Sequence, residues 1–515
     1  MPRGAARRPR VTAMAVEGGE VSVLPVPSPH RHSIVMGCDF FYPRVGGVEQ
    51  HIWSLSQCLL SQGHRVVVVT GRYATPGGGA ARVGVRYMAG GLRVYYLPHA
   101  PMFDQASLPT YFALLPLLRA IFLREGATLA HGHAATSTFT HDFIVAARSL
   151  GIPAVYTDHS LFGSRTFAHI NVNKYLSFVL RDVAAVITVT ESARENLCER
   201  ADVDPSLTVI IPNAIDAANF EPPPRTLAVT SLGAGAGATP AATTTIVMVS
   251  RLVMRKGVDL AAVLIPRACA RWPQIRFVVG GDGPKRALLE EVRDRHGLGD
   301  RLELLGNVPH DAVRDVLIRG SIFLNCSLTE SFCIAILEAA AAGCYVVATN
   351  VGGVPEVLPP HMVTLAQPNV DDLMRALGEA LVKAPLVDAH AQHAEVARLY
   401  AWPEVAARTV KVYDAVRDAP TVTLADRFIR LAGGGLIFGP ITVILVSLIQ
   451  IMAFALDVLA PAEDMDPAPR PPRDDELWAV AESPDTEQGL RLTTKPAVAK
   501  SQRVAFKTEA EAAQR

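Results

Sequence analysis

The sequence predicts an α/β protein of two doubly wound, parallel-sheet domains followed by one transmembrane helix. Three observations carry this prediction. Short β-branched runs alternate with helical stretches from residue 32 onward. The alternation breaks at 221–242, where three consecutive prolines, Gly-Ala-Gly-Ala-Gly and a threonine run read as a connector, and then restarts. Near the end, Leu431–Leu456 contains no ionisable residue over 26 positions.

The first domain is expected over 32–220. His32–Met36 is a short apolar run entering a Gly-containing loop. Val48–Leu60 has helical spacing, with Ile52, Leu55 and Leu59 on one face and Gly63 as its stop. Arg65–Thr70 (RVVVVT) reads as a strand buried on both faces. Strand-like runs follow at Val94–Leu97, Ala127–Ala130, Ala154–Thr157 and Ala185–Val189. The second domain, 243–420, repeats the pattern at Thr245–Ser250, Arg276–Gly280, Leu302–Leu305, Ile322–Asn325 and Tyr345–Thr349. Two such domains joined by a connector place a ligand cleft at the carboxyl ends of their strands.

At 515 residues the chain exceeds one core, and half of it is hydrophobic. Lys+Arg and Asp+Glu balance at 49 each, so no global field draws it to nucleic acid, and a nucleic-acid partner is excluded. Seven scattered cysteines without a C-x-x-C pair suggest buried thiols in a reducing compartment. The basic start, 1–31, lacks the apolar run of a secretory signal and reads as a disordered lead-in.

The uncharged segment at 431–456 would extend about 39 Å as a helix, enough to cross ~30 Å of hydrocarbon. Gly433, Gly434, Gly435 and Pro440 weaken its first third, so the firm part is expected from about Ile441. Gln450 is the one strongly polar side chain that favours a soluble core helix instead. Arg427 and Arg430 precede the span and acids follow it, which favours a cytosolic body and a lumenal tail. That tail, 457–515, is rich in Pro, Ala and charge and is expected to be unstructured.

The sharpest chemical signal is Thr329-Glu330-Ser331-Phe332 running on to Glu338-Ala339-Ala340. Two glutamates lie eight apart in an apolar segment that ends near Gly343 and that Thr329 or Ser331 would cap. If helical throughout, the interval is about 12 Å. That exceeds the ~5–5.5 Å carboxylate pair of a retaining glycosidase. It suits the two ends of an extended ligand, one carboxylate on sugar hydroxyls and the other on a ribose. Ser250–Gly257 (SRLVMRKG) follows a strand, so Arg251 and Lys256 can neutralise a leaving diphosphate, with Arg255 facing solvent.

Gly46-Gly47-Val48-Glu49 stands between a first strand and a helix, where backbone N–H groups can approach a phosphate. A simple tight turn explains the glycines equally well. His131-Gly132-His133 follows the strand Ala127–Ala130. With no carboxylate or Cys at ligand spacing, one His lining the cleft is more economical than zinc. Asp158-His159 follows Ala154–Thr157 on the same rim, but neighbours in a strand point oppositely, which argues against a hydrolase dyad. Gly280–Lys285 is a structural strand-to-helix turn. Two D-x-D triplets, Asp202–Asp204 and Asp464–Asp466, lie in a loop and beyond the span, and no metal is required if Arg251 and Lys256 carry the phosphate charge.

GGVE at 46–49, VSRLVMRKG at 249–257 and the E-x7-E of Glu330 and Glu338 together resemble the retaining glycosyltransferases of the GT-B fold, family 4. Longer stretches resemble its PIG-A-type branch: 39–59, TDHSLFG at 157–163, 280–295, VGGVPEVLP at 351–359 and the single span. The likeness covers about residues 32–456, with the connector as an insertion. It implies transfer of N-acetylglucosamine from UDP-GlcNAc to phosphatidylinositol, the first step of glycosylphosphatidylinositol (GPI) anchor synthesis, with retention and without metal or other cofactor.

By the same resemblance, Gly46 and Gly47 approach the diphosphate and Arg251 and Lys256 grip it. Glu330 meets the donor sugar, Glu338 the ribose, and Asn307 and Val308 border the uracil. His133 sits at the reaction centre, with Asp158 and His159 as candidates on the acceptor side. The resemblance further implies other subunits of a GPI-GlcNAc transferase complex and a single-pass protein of the endoplasmic reticulum membrane. Two alternatives remain at this point. One is a mannosyl- or glucosyltransferase of the same fold, since the clamp residues do not distinguish donors. The other is a catalytically silent scaffold, which the intact site residues disfavour.

Overall fold

The computed structural model describes residues 28–74, 81–103, 105–161, 167–224 and 243–471. The lead-in before Ser28, the connector from 225 and the tail from 472 lie outside the described residues. The chain divides into two compact units. Unit 1 comprises residues 1–189, 193–211 and 402–515, and unit 2 comprises 190–192 and 212–401.

Unit 1 holds an eight-stranded sheet. Its strands are β1 (Ser33–Gly37), β2 (Arg65–Thr70), β3 (Gly84–Met88), β4 (Leu92–Tyr96), β7 (Leu129–His133), β8 (Ala154–Asp158), β9 (Ala185–Thr188) and β10 (Thr208–Ile210). A separate hairpin pairs β5 (Pro101–Phe103) with β6 (Ala106–Ser107). The strand order is β10-β9-β8-β7-β1-β2-β4-β3, parallel except where β3 pairs antiparallel with β4. Helices α1 (Gly47–Ser61), α2 (Leu115–Arg124), α3 (Thr138–Ser149), α4 (Phe167–Leu180) and α5 (Glu191–Ala201) connect the strands. β3, β5, β6 and β10 were not anticipated; they are short or edge elements that lack a sustained apolar run.

At the sheet centre the sequence makes room for α3. A Cβ on Gly37 would stand 2.4 Å from the Phe143 ring, and one on Gly132 would stand 2.7 Å from Thr140 Cγ2. Two facing glycines on β1 and β7 therefore let the helix approach the sheet closely. The strand also continues through His133, where the sequence reading stopped it at Ala130. Pairing of Met36 with His131 and of Gly37 with Gly132 absorbs these residues into the ladder.

Unit 2 holds six parallel strands: β11 (Thr244–Val249), β12 (Ile275–Gly280), β13 (Leu302–Gly306), β14 (Ile322–Asn325), β15 (Tyr345–Thr349) and β16 (Val363–Ala366). Their order is β13-β12-β11-β14-β15-β16. Taken in chain order this is 3-2-1-4-5-6, a doubly wound sheet. The helices are α6 (Val258–Arg271), α7 (Arg286–Arg295), α8 (Val313–Leu317), α9 (Ile334–Ala341), α10 (Val370–Lys383) and α11 (Ala389–Leu399).

The chain then returns to unit 1 with α12 (Trp402–Asp418), α13 (Leu424–Ala432) and α14 (Phe438–Leu459). This moves the boundaries read from sequence: 212–220 belongs with unit 2 and 402–420 with unit 1. The cause is α12, which packs on α1 and buries Tyr413, whose hydroxyl lies 2.7 Å from His131 Nδ1. Residues 28–31 are also not loose, because Ser28 Oγ donates to Asp414 Oδ1 on α12 at 2.9 Å.

α14 has 22 residues and is long and apolar enough to cross a membrane. It begins at Phe438, because Gly433–Gly435 interrupts the helix and Gly435 adopts φ +103°. One stripe is docked on unit 1. Ile449 and Ala453 join the core that contains Phe139 and Phe143, and Gln450 Nε2 donates to the Ser149 carbonyl at 3.0 Å. Gln450 thus has a partner in the fold. The opposite stripe, including Ile441, Ile444, Ile451 and Phe454, is exposed. The tail beyond the span begins ordered, not unstructured as expected: the helix runs through Asp457, which pairs with buried Arg119 at 2.6 Å, and Ala468 N donates to the Arg124 carbonyl at 2.8 Å.

α13 is fixed by a buried ion pair in which Arg427 donates to both oxygens of Asp182 at 2.7–3.0 Å. Removing one partner leaves the other buried charge without its main counter-charge. Arg427→Ala is therefore expected to cost about 3–5 kcal/mol. Because buried Arg148 also reaches Asp182, at 3.6 Å, it is the combined replacement Arg427→Met, Asp182→Leu and Arg148→Met that should recover most of that loss, as read by denaturant unfolding of the purified protein.

Candidate active site

In each unit the strand order reverses once, between β1 and β7 in unit 1 and between β11 and β14 in unit 2. The carboxyl ends of strands at such a reversal are the natural ligand crevice of a doubly wound sheet. Gly46, Gly47 and His133 lie at the first of these places and Arg251, Lys256 and Glu330 at the second, whereas Asp158 and His159 lie at the end of β8 and Asn307 and Val308 follow β13.

In unit 2, the turn after β11 carries Arg251 and Lys256. Lys256 Nζ forms a short ion pair with Glu330 Oε1, and Ser327 Oγ donates to the same oxygen at 2.8 Å. Glu330 lies in the loop that follows β14, so the two central strands deliver the cation and the carboxylate to one point. Gly257 closes the turn at φ +70°, and a Cβ there would stand 1.7 Å from the Cys326 carbonyl oxygen. Only glycine allows this approach. The Arg251 turn is braced by the 280–285 loop: Leu252 N donates to Asp282 O at 2.8 Å and Lys285 N to Leu252 O at 2.9 Å. Arg251 and Arg255 are both solvent-exposed.

The two glutamates do not share one helix. α9 starts at Ile334, after Cys333 in a left-handed conformation at φ +73°, and neither Thr329 nor Ser331 caps it. The loop before it is pinned instead by its backbone: Gly353 N donates to Glu330 O at 3.0 Å and Thr190 Oγ1 to Ser331 O at 2.9 Å. Glu330 is therefore a loop residue and Glu338 a helix residue, and the interval expected from one continuous helix does not apply. Gly343 does end the helix, at φ +90°. Burial pushes the Glu338 carboxyl pKa up, and His310 acts against that shift. His310 stands just beyond Gly306-Asn307-Val308, so Glu338 and the Asn307/Val308 loop are neighbours, with Asn307 exposed and Val308 half-buried.

In unit 1, β1 and β7 bring together the first glycine pair and the histidines. Gly46 is the N-cap of α1 in extended conformation, and the Glu49 carboxylate lies directly against it, paired with Arg44 at 3.1 Å. The N-terminus of α1 is thus already faced by an internal carboxylate. His131 is fully satisfied, by Tyr413 OH and by Thr157 Oγ1, each at 2.7 Å. His133 differs. Its Nδ1 lies 3.3 Å from His159 Nε2, while its buried Nε2 has no partner.

His51, on α1, completes the cluster. Its ring is 4.7 Å from His159 and 5.7 Å from His133, and the ligand atoms of the three lie within 4.8 Å of one another. Burial drives His131, His133 and His159 toward the neutral form, and repulsion from neighbouring imidazoles adds to the shift; the His131 pKa falls to about 3. The three could hold a divalent ion, but only if the proton between His133 and His159 is given up. Sequence spacing could not reveal His51, which is remote in the chain and meets the others only through the β1–α1 connection. Asp158 is separated from His159 as strand alternation requires: it is buried, receives Tyr156 OH at 3.0 Å and forms a short pair with Arg200. It anchors the fold and does not face the cluster.

Known proteins place this arrangement. A family model described as PIGA (GPI anchor biosynthesis) matches residues 79–166, and one for group 1 glycosyl transferases matches 237–395. The PIG-A-type component of phosphatidylinositol N-acetylglucosaminyltransferase from Arabidopsis thaliana is 45% identical over 86% of this chain and 95% of its own length. The Homo sapiens counterpart is 43% identical over 82% of this chain and 84% of its own. The chain belongs to the PIG-A family of phosphatidylinositol N-acetylglucosaminyltransferase subunits. Among solved structures, sucrose-phosphate synthase from Thermosynechococcus elongatus matches 74% of this chain and 98% of its own at a TM-score of 0.59 and 21% identity. Anabaena HepE in complex with UDP and glucose covers 75% of this chain and all of its own at a TM-score of 0.57 and 18% identity. These likenesses establish the GT-B fold for this PIG-A family member.

The neutral histidines make stability depend on pH. Unfolded His131 binds a proton near pH 6.5, whereas the folded residue resists protonation down to about pH 3. Below pH 6.5 the unfolded chain therefore holds the extra proton, so stability present above 6.5 declines as pH falls toward 3, by up to about 1.4 kcal/mol per unit. Unfolding free energies measured between pH 7 and 5 should fall with pH, and His131→Asn should reduce the slope by up to about 1.4 kcal/mol per unit, with His133 and His159 sustaining the remainder.

Proposed function

We propose that this protein transfers N-acetylglucosamine from UDP-GlcNAc to phosphatidylinositol with retention of configuration, as the catalytic member of a multisubunit complex. The observation that carries this reading is near full-length similarity to the corresponding subunits of that transferase at 37–45% identity. The site of action is the cytosolic face of the endoplasmic reticulum membrane, with α14 as the attachment. The grouping of Lys256 and Glu330 at the strand-order reversal supports an enzyme over a silent scaffold.

In this reading the donor diphosphate takes Lys256 away from Glu330, and Arg251 supplies the second positive charge. Glu330, released from its ion pair, accepts hydrogen bonds from hydroxyls of the donor sugar. Glu338 meets the ribose, and Asn307 and Val308 border the uracil. His133 presents its unpartnered Nε2 to the donor sugar, held by His159. Gly46 and Gly47 approach the diphosphate only as Glu49 gives way, because its carboxylate occupies that position. As the bond from the anomeric carbon to UDP breaks, the departing phosphate oxygen accepts the proton of the inositol hydroxyl. That hydroxyl bonds to carbon on the same face. No metal takes part.

Microsomes containing the protein should transfer label from UDP-GlcNAc to phosphatidylinositol and not from GDP-mannose; transfer from mannose alone would overturn the donor assignment. Lys256→Ala should lower turnover by about 10²–10³-fold, equivalent to about 2.7–4 kcal/mol. Glu330→Gln should reduce activity more than protein level, while Arg255→Ala should do little. EDTA should leave the rate unchanged. A loss restored by added divalent ion would refute the metal-free chemistry and direct attention to His51, His133 and His159.

A further inference from the structure

A cavity of about 410 Å³ lies in unit 1, away from the strand ends described above. It is bordered by residues that precede strands, Thr128 before β7, Pro153 before β8 and Ala184 before β9. It therefore sits at the amino ends of the sheet, opposite the edge that carries His133. Its volume is that of a small-molecule site.

The lining is strongly cationic. Arg148, Arg417, Arg427 and Arg430 contribute four guanidinium groups against the single carboxylate of Asp182. Arg427 occupies both Asp182 oxygens, and Arg148 reaches that carboxylate only at 3.6 Å. Among the described residues, neither Arg417 nor Arg430 forms an ion pair. Three buried polar atoms at the cavity also lack hydrogen-bond partners: Arg148 Nε, Ser149 Oγ and Gln450 Oε1. Buried polar atoms are rarely left unpaired, and here two donors and one acceptor belong to residues that line a space rich in positive charge. Burial lowers the Arg148 pKa; Asp182 opposes that shift and Arg427 adds to it, so a bound anion would relieve the crowding.

The surroundings indicate the anion's carrier. The cavity is walled by α13 and by Gln450 of α14, the helix apolar enough to enter a bilayer. Leu424 on its rim, Ile429 on α13 and Phe438 at the start of α14 are all exposed large hydrophobic residues. Basic residues immediately before an apolar helix are positioned to meet anionic head groups. A free phosphate would use the charges and leave these apolar side chains in water, whereas a phospholipid uses both.

We propose that this cavity binds the head group of an anionic phospholipid, at a site distinct from the acceptor site of the transfer reaction. The lipid ties α13 and the start of α14 to the sheet. The inference depends on attachment of α14 to a membrane but not on the donor or acceptor assigned above.

The test uses the purified full-length protein in detergent micelles with a fluorescent short-chain phosphatidylserine as probe, because that lipid is not the proposed acceptor. Phosphatidylserine should be retained and phosphatidylcholine should not. Arg430→Glu should weaken binding by about tenfold or more, as for one lost charge-assisted contact. Arg430→Lys should restore most of it. Thr421→Trp, at an exposed rim position, should block the probe without burdening the core. Binding of UDP by each variant confirms that it is folded, and failure of UDP binding in the unaltered protein would count against the transferase reading alone. Equal binding by Arg430→Glu and Thr421→Trp would overturn the proposal. So would equal retention of phosphatidylcholine, or displacement of the probe by inorganic phosphate at matching concentration, which would mark an ordinary anion site.

Discussion

A right-handed crossover that moves one way along a parallel sheet lays its helix on one face, and one that moves the other way lays it on the opposite face. In unit 1, β1 leads through α1 to β2 while β7 leads through α3 to β8 on the other side of β1, so the ends of β1 and β7 lie between crossovers that depart to opposite faces. In unit 2 the same holds for β11 and β14. The central candidate features depend on this reversal. Lys256 comes from the end of β11, Glu330 from the end of β14, the Gly46 turn from the end of β1, and His133 from the end of β7.

Satisfaction of buried polar groups separates scaffold from chemistry at these edges. His131 and His133 are two residues apart on one strand and equally buried, yet one has both nitrogens bonded and the other has one left over. Asp158 and His159 divide in the same way, the acid locked by Arg200 and Tyr156 and the imidazole turned toward the cluster. A group that costs free energy to bury unpaired is retained where a ligand completes it. Glu330 and Lys256 show the opposite arrangement: each satisfies the other until a charged ligand competes.

The strong β-branched runs made the central strands legible, and RVVVVT, IFLN and YVVAT fall on the observed strands residue for residue. The side of the sheet on which chemistry resides was legible from the loops that follow those runs. Edge strands such as β3 and β16 were not, because a half-exposed edge carries no continuous apolar signal. The break before α9 was also hidden. Ser331-Phe332-Cys333 fits a helical apolar pattern, and only the left-handed Cys333 and the bonds from Thr190 and Gly353 exclude it. His51 was missed because proximity created by a crossover leaves no trace in local spacing. The return of α12 to unit 1 was missed for the same reason, since its partners lie hundreds of residues earlier.

Unit 2 leaves unit 1 after Ile211 and hands the chain back at Trp402. Within unit 2 those two ends are laced together, Ile215 N donating to Tyr400 O at 3.2 Å beside a bridge to Ala401. Apart from 190–192, unit 2 is thus a cassette inserted between Ile211 and Trp402 of its host, with entry and exit side by side. A host of this kind can exchange its cassette and still keep its own sheet, histidines and apolar helix. In such a lineage, what the enzyme transfers and where in the cell it works can evolve as separate inheritances.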